Sequence, residues 1–112
     1  MIDSFVFGSF VFDGKKFDSN IVIINGVARQ ARYLEGHILR ESDFDKLIAA
    51  KPEIIIVGTG ASGVVHVHEE IRQLIESKGI KLIIERTADA CETFNELIKK
   101  RKKVCAFLHN TC

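Results

Sequence analysis

The chain has 112 residues, of which 46% are apolar and 28% are charged, and its net charge is +1. This length suits a single domain that buries a hydrophobic core without disulfides or a structural metal. The near balance of charge argues against nucleic acid or an anionic membrane surface as a partner. Apolar runs such as residues 21–24 are far shorter than the roughly 20 residues that span a bilayer, so we expect no membrane segment.

The cysteines and the N-terminus bear on the compartment. Cys91, Cys105 and Cys112 are odd in number and lack C-x-x-C spacing, which argues against a disulfide framework or a closed zinc site. Cys91 and Cys105 lie in apolar patterns that are typical of a core. No basic, apolar or Arg/Ser-rich leader opens the sequence, so we expect a cytoplasmic chain. We also expect no metal and no cofactor, because the motifs that could hold them, taken up below, are incomplete.

The first half of the chain is rich in β-forming residues. Asp13-Gly14 and Asn25-Gly26 each separate two apolar runs, and both dipeptides favour the positive φ angles of tight hairpin turns. The sequence therefore predicts two consecutive hairpins. Ser42 then resembles an N-cap that opens a short helix over residues 43–50, and Pro52 follows the end of that helix.

The second half of the chain alternates between strand and helix. Its pattern predicts strands over 53–57, 80–85 and 104–109 and helices over 69–77 and 88–99, with Thr87 at a helix start. Such β-α-β crossovers place successive strands parallel. We therefore predict one α/β domain over residues 1–112, with a mixed sheet, a parallel β-α-β-α-β core at its centre, helices packed on it and N-terminal β-hairpins.

Residues 58–63, with the sequence GTGASG, form a G-x-G-x-x-G motif between a predicted strand and a helix. With Glu85 ending the next strand, this arrangement is typical of a dinucleotide-binding loop, in which glycines admit a pyrophosphate and the acid holds a ribose. The helix, however, begins several residues late, and no second nucleotide-binding half follows. We favour a sharp strand-to-helix turn, with nucleotide or phosphate binding as the alternative.

Ligands of parallel sheets bind outside the carboxyl ends of the strands. We predict that Gly60, Arg86, Thr87 and Asn110 line one concavity there, where helix-start amides and the Arg86 guanidinium suit a carboxylate or a phosphate. For each residue alone, helix capping by Thr87 and a surface ion pair at Arg86 are simpler interpretations. The predicted ligand-binding positions at this edge are Thr59, Gly60, Ser62, Gly63, Arg86, Thr87 and Asn110.

Other reactive side chains lack a complete catalytic set. His66 and His68 precede two glutamates without the spacing of a zinc-protease motif, so solvated groups at a helix start are favoured over a metal site. Cys112 and His109 would lie on opposite faces of a strand, which argues against a thiol–imidazole pair. The basic run 99–103 suits a helix C-terminus, and the phenylalanines suit a core or, secondly, a partner-facing patch.

The second half of the chain resembles a small α/β family that includes mitochondrial complex I assembly factor 3 and the adipogenesis-associated Mth-domain protein. The resemblance rests on EIIIVGTG at residues 53–60, TADA at 87–90, TFN at 93–95 and the final HNTC. It implies a mixed sheet with packed helices and no known active site. Asn95 matches the motif, and we include it among the ligand-binding candidates as a cleft or structural polar residue.

The sequence is compatible with three functions. The first is a non-enzymatic binding or assembly module that holds a protein partner or a small anionic ligand at the strand-end cleft. The second is a small enzyme or a nucleotide or phosphate binder that uses residues 58–63. The third is a homo-oligomer joined through the edge strands of its hairpins.

Overall fold

Strands fill the first third of the chain, and helices alternate with strands in the remainder. The computed structural model describes residues 1–112. In chain order the elements are β1 (Ile2–Val6), β2 (Ser9–Phe12), β3 (Lys15–Phe17), β4 (Ile21–Ile24), β5 (Val27–Gln30), 3-10 turns at Glu35–His37 and Glu41–Phe44, α1 (Asp45–Ala49), β6 (Ile54–Gly58), α2 (Glu69–Ser77), β7 (Lys81–Glu85), α3 (Thr87–Lys99) and β8 (Val104–Leu108).

The strands form two sheets. A small antiparallel sheet has the order β1-β2-β3, and a mixed sheet of five strands has the order β5-β4-β8-β6-β7. Asp13-Gly14 joins β2 to β3 and Asn25-Gly26 joins β4 to β5, which confirms both predicted hairpins. A third turn, at Phe7-Gly8, pairs β1 with β2 and was not among the predicted hairpins. The mixed α/β fold, with its parallel run of β6, β7 and β8, is as predicted.

The parallel strands do not occupy the centre of the mixed sheet as we expected. β6 lies between β8 and β7, so β7 is an edge strand, and β4 adds to the far side of β8 in antiparallel register. The predicted position was wrong because the β4–β5 hairpin extends the sheet on one side alone. The opposite edge of the mixed sheet is therefore β5.

The mixed sheet is buried on both faces. Along β6, Ile54 and Ile56 pack against α3 and the small sheet, whereas Ile55 and Val57 pack against α1, α2 and residues 31–50. This arrangement explains why β6 and β8 read as continuous apolar runs instead of alternating ones. Both strands are buried along their whole length, so their carboxyl ends meet in the interior of the molecule.

The short first helix differs from its prediction. A 3-10 turn over Glu41–Phe44 precedes α1, and Ser42 lies inside that turn without capping it. The carboxylate of Asp43 takes the capping role, because its Oδ2 accepts the backbone N–H of Arg40 at 2.7 Å. Asp43 also forms a two-point ion pair with Arg32, which fixes the segment between β5 and α1.

The phenylalanines and two of the cysteines are mainly core residues. Phe10, Phe12 and Phe17 of the small sheet are buried against α3, as the first interpretation of these residues predicted, whereas Phe7 is 64% exposed. Cys91 and Cys105 are buried and unpaired. Burial, aided by the nearby charge of Glu92, raises the pKa of the Cys91 thiol to about 12, which suits a core filler.

None of the helices has the length and apolar content that crossing a bilayer requires. α3, the longest of them, has 13 residues.

Candidate functional site

Three loops meet at the carboxyl ends of the parallel strands. Gly58, the last residue of β6, pairs with Glu85 on β7 and with Leu108 on β8, so all three strands end at one level. The loops that follow are residues 59–68, the Arg86 junction into α3, and residues 109–112. We call this region the strand-end site.

Thr87 lies at the centre of the strand-end site and is fully buried. Its Oγ1 accepts the backbone N–H of Gly60 at 2.8 Å and donates to the carbonyl of His109 at 2.8 Å. The Thr87 amide also donates to the Gly60 carbonyl at 3.1 Å. Thr87 is the first residue of α3, whose N-cap position belongs to Arg86, so its hydroxyl joins loops instead of capping the helix.

The glycine-rich loop binds the last residues of the chain itself. The amide of Ala61 donates to the carbonyl of Thr111 at 2.7 Å, and the amides of Ser62 and Val64 donate to the carbonyl oxygen of Cys112 at 3.3 and 3.2 Å. A Cβ at position 60 would collide with the Cys112 carbonyl group, and Gly60 has a φ of +105°. Glycine is therefore required here for the close approach of residues 111–112, as well as for its backbone conformation.

Thr59 and Arg86 have different surroundings on either side of this loop. Both the amide and the hydroxyl of Thr59 donate to the carbonyl of Glu85, at 2.9 and 3.1 Å, so its polar groups hold the loop to β7. Arg86 is exposed, and its side chain lies against the loop, because a Cβ at Gly63 would be 3.3 Å from its Cγ. The Arg86 guanidinium forms none of the four salt bridges in the molecule.

His109 is buried beside Thr87 in a network that fixes its tautomer. Oδ1 of Asn20 accepts the Asn110 amide at 2.9 Å and lies 2.8 Å from Nδ1 of His109, while Nδ2 of Asn20 donates to the Arg32 carbonyl. Because the amide oxygen of Asn20 can only accept hydrogen bonds, Nδ1 of His109 must carry the proton that it donates. Nε2 of the neutral ring then accepts from the Thr111 hydroxyl at 3.2 Å.

A pocket of about 360 Å³ opens beside this network. Asn20, Tyr33, His109, Asn110 and Thr111 are among the residues that line it. The His37 ring meets the His109 ring edge-on, with the ring centroids 5.5 Å apart. Burial lowers the pKa of His109, and the nearby His37 adds to that effect, so the neutral form is favoured.

Most predicted positions share this edge of the sheet. Asn110 exchanges hydrogen bonds with Gly8, through its carbonyl at 2.6 Å and its side-chain amide at 3.1 Å. Asn95 lies elsewhere, where its side chain pairs with both backbone groups of Ile2 and holds β1 to α3. The residues brought together at the strand-end site are Thr59, Gly60, Ser62, Gly63, Arg86, Thr87 and Asn110. Residues 109–112, the third of these loops, bind the amides of the glycine-rich loop. Ligand binding at the strand-end site stays a prediction.

The remaining histidines and Cys112 form no metal cluster. No group of three or more His, Cys, Asp or Glu side chains has a metal-binding arrangement, and His66 contacts His68 through their rings. His109 bonds Asn20 and Thr111 through its two ring nitrogens, and neither nitrogen bonds the Cys112 sulfur.

Residues 2–109 match the family model described as a protein of unknown function, DUF498/DUF598. The chain belongs to the DUF498/DUF598 family. This match covers nearly the whole chain and extends the resemblance seen in the second half to the N-terminal hairpins.

Two curated relatives share part of this family's sequence. The chain is 34% identical over 62 residues to NADH dehydrogenase [ubiquinone] 1 alpha subcomplex assembly factor 3 of Xenopus tropicalis, a match over 55% of this chain and 33% of the relative. It is 30% identical over 71 residues to the 13 kDa major membrane protein of Francisella tularensis, over 62% of this chain and 56% of the relative. The chain thus spans a third to about half of these relatives, and the assembly factor confirms the resemblance noted above.

A solved structure confirms the fold along the whole length of this DUF498/DUF598 member. A conserved hypothetical protein of Pyrococcus horikoshii superposes with a TM-score of 0.89 and 28% identity, over 100% of this chain and 99% of that one. The mixed sheet, its helices and the small antiparallel sheet are therefore shared with this hypothetical protein.

Two residues from the first half of the chain organise the site: Asn20, which no sequence pattern marked, and His37, whose position after Gly36 suggested a loop hydrogen bond more than catalysis. Asn20 precedes β4 and His37 lies in the loop after β5, yet both contact His109 near the end of the chain. No local pattern predicts either contact, because each residue meets His109 from about 70 or more positions away. A polar residue at a strand start was the one available signal for Asn20.

We expect Thr87→Val to destabilise the protein by about 2–4 kcal/mol, because it leaves the Gly60 amide and the His109 carbonyl buried without their partner. Urea denaturation measures this change. Thr93→Val is the matched control, because Thr93 is a half-buried threonine of the same helix that lies outside the Thr87 network. Equal losses for both variants would contradict the role assigned to Thr87.

Stability should fall as the pH decreases below about 6.5, the ordinary pKa of histidine. The pKa of His109 is lower in the folded protein than in the unfolded chain, so as the pH falls the unfolded chain binds a proton before the folded protein does. The free energy of unfolding therefore decreases with falling pH until the pH is below the folded pKa. Urea denaturation between pH 7.5 and 5 tests this slope. His109→Gln should flatten it and His68→Gln, at an exposed position, should not; an unchanged slope in His109→Gln would contradict the assignment.

Proposed function

We propose that this chain is a non-enzymatic binding or assembly module that holds a protein partner at the strand-end site. The observation that carries the proposal is the use of the loop amides by the chain itself: Ala61, Ser62 and Val64 already donate to Thr111 and Cys112. A loop filled in this way offers a surface to a partner in place of an open nucleotide pocket.

Exposed apolar residues lie in or next to segments that contact residues 109–112. Phe7 precedes Gly8, which bonds Asn110, while Tyr33 lines the pocket beside His109 and Val64 binds Cys112 through its amide. These three side chains are 64%, 80% and 47% exposed, respectively. Ile38, 45% exposed, follows His37 and pairs with His66. Apolar groups that collect at one place on a surface favour protein contact.

The net charge of the chain and the name of one relative support a protein as the partner. A net charge of +1 gives nucleic acid little to bind. One relative is named as an assembly factor, a role that requires protein partners. We extend that class of role to this chain and place it in the cytoplasm, where its unpaired cysteines would stay reduced.

A phosphate-binding or enzymatic role is the second candidate, and one observation favours it. Arg86 is exposed beside Gly63 without an ion pair, so its guanidinium is available to a small anion. For such a ligand to reach the loop amides, residues 111–112 would have to leave them.

The test of the proposed function removes apolar surface and leaves the loop intact. Phe7→Ser combined with Val64→Ser should reduce recovery of a stoichiometric partner at least tenfold when the tagged chain is purified from its native cells. Gln73→Ser, which removes an exposed side chain from α2, should leave recovery unchanged. Equal recovery with both variants, at unchanged melting temperature, would overturn the proposal.

A thermal-shift measurement with nucleotides and phosphorylated metabolites distinguishes the second candidate from the proposed function. A ligand that binds the native state raises the melting temperature by mass action. The proposed function predicts no shift, whereas a shift that disappears in Arg86→Ala would favour anion binding.

A further inference from the structure

A groove of about 570 Å³ runs between the free edges of the two sheets. One wall is β3 with the residues that follow it, and the other is β5. β3 is an edge of the small sheet and β5 is an edge of the mixed sheet, so neither strand has a neighbour on this side. The groove shares Asp18, Ser19 and Gln30 with the 360 Å³ pocket beside His109.

The register of β5 shows which backbone groups face the groove. Ile24 and Val27 flank a two-residue turn and form a hydrogen-bonded pair, and the amide of Ala31 donates to Asn20 at the other end of the strand. Because antiparallel bonding alternates along a strand, Ala28 and Gln30 direct their N–H and C=O groups away from β4. The open edge of β5 thus presents donors and acceptors at the spacing of an added strand.

The groove is also basic. Lys15, Lys16 and Arg29 line it, and Asp18 is the one acidic residue in its lining. Lys16 approaches Asp18 at 3.8 Å between two exposed side chains, whereas Lys15 lies over the Phe17 ring and forms no ion pair. Arg29 also has no acidic partner. Two cations at a free strand edge favour a partner that carries carboxylates.

We propose that this groove binds an extended acidic segment of another protein, which adds to β5 as a further strand. Backbone bonds to Ala28 and Gln30 would supply affinity, and carboxylates near Lys15 and Arg29 would supply selectivity. A second copy of this chain fits less well, since it would bring its own basic residues against the same cations. This inference goes beyond the proposed function, because the groove adjoins the pocket beside His109 but does not require residues 59–68, Arg86 or residues 109–112.

The direct probe is a fluorescein-labelled nine-residue peptide of alternating valine and glutamate, added to the intact protein at low salt. We expect it to bind, to bind more weakly as salt increases, and to shift the amide resonances of Ala28 and Gln30. A peptide with lysine in place of glutamate should not bind. Methylation of the backbone nitrogens of the acidic peptide should abolish binding, because it removes the strand pairing.

Lys15→Glu combined with Arg29→Glu should weaken peptide binding at least fivefold, and Lys78→Glu, an exposed charge reversal after α2, should not. Arg86→Ala should also leave peptide binding unchanged. Failure of the groove proposal is then distinguishable from failure of the proposed function at the strand-end site. Resonance shifts confined to the basic run 99–103, equal binding of the lysine peptide, or a self-associated protein with β5 covered would each overturn the inference.

Discussion

The hydroxyl of Thr87 is the contact on which the strand-end site depends. It accepts the Gly60 amide and donates to the His109 carbonyl, so one buried side chain joins the loops that follow β6 and β8 to the start of α3. Parallel strands bring these segments to one level, but they leave backbone groups unpaired where the strands end. Thr87 satisfies two of those groups in the interior, where leaving them unpaired would be costly.

With this contact in place, the glycine-rich loop has a role other than holding a pyrophosphate. Gly60 allows the backbone of residues 111–112 to lie against the loop, and the amides of Ala61 and Val64 bind those residues. The same features that suit a nucleotide loop, namely absent side chains and free amides, serve an internal peptide contact. Residues 109–112 therefore form part of the surface that the strand-end site presents.

Local patterns predicted most of the fold, and long-range contacts account for what they missed. The dipeptides Asp13-Gly14 and Asn25-Gly26 marked hairpins because their φ preferences act within the turn itself. The position of β7 at an edge depends on where the β4–β5 hairpin adds, which no local residue specifies. At the site, shared strand ends could be anticipated from topology, whereas the filling of the loop by Cys112 joins residues about 50 positions apart.

Amide hydrogen exchange at Ala61 and Val64 shows whether residues 111–112 occupy the glycine-rich loop, since both amides donate to those residues. In the intact chain we expect these two amides to exchange slowly, and much faster in a variant that lacks residues 111 and 112. The amide of Gly60, bound to Thr87, should keep its protection in that variant. Fast and equal exchange of Ala61 and Val64 in both proteins would show that the loop is open, and would contradict this account.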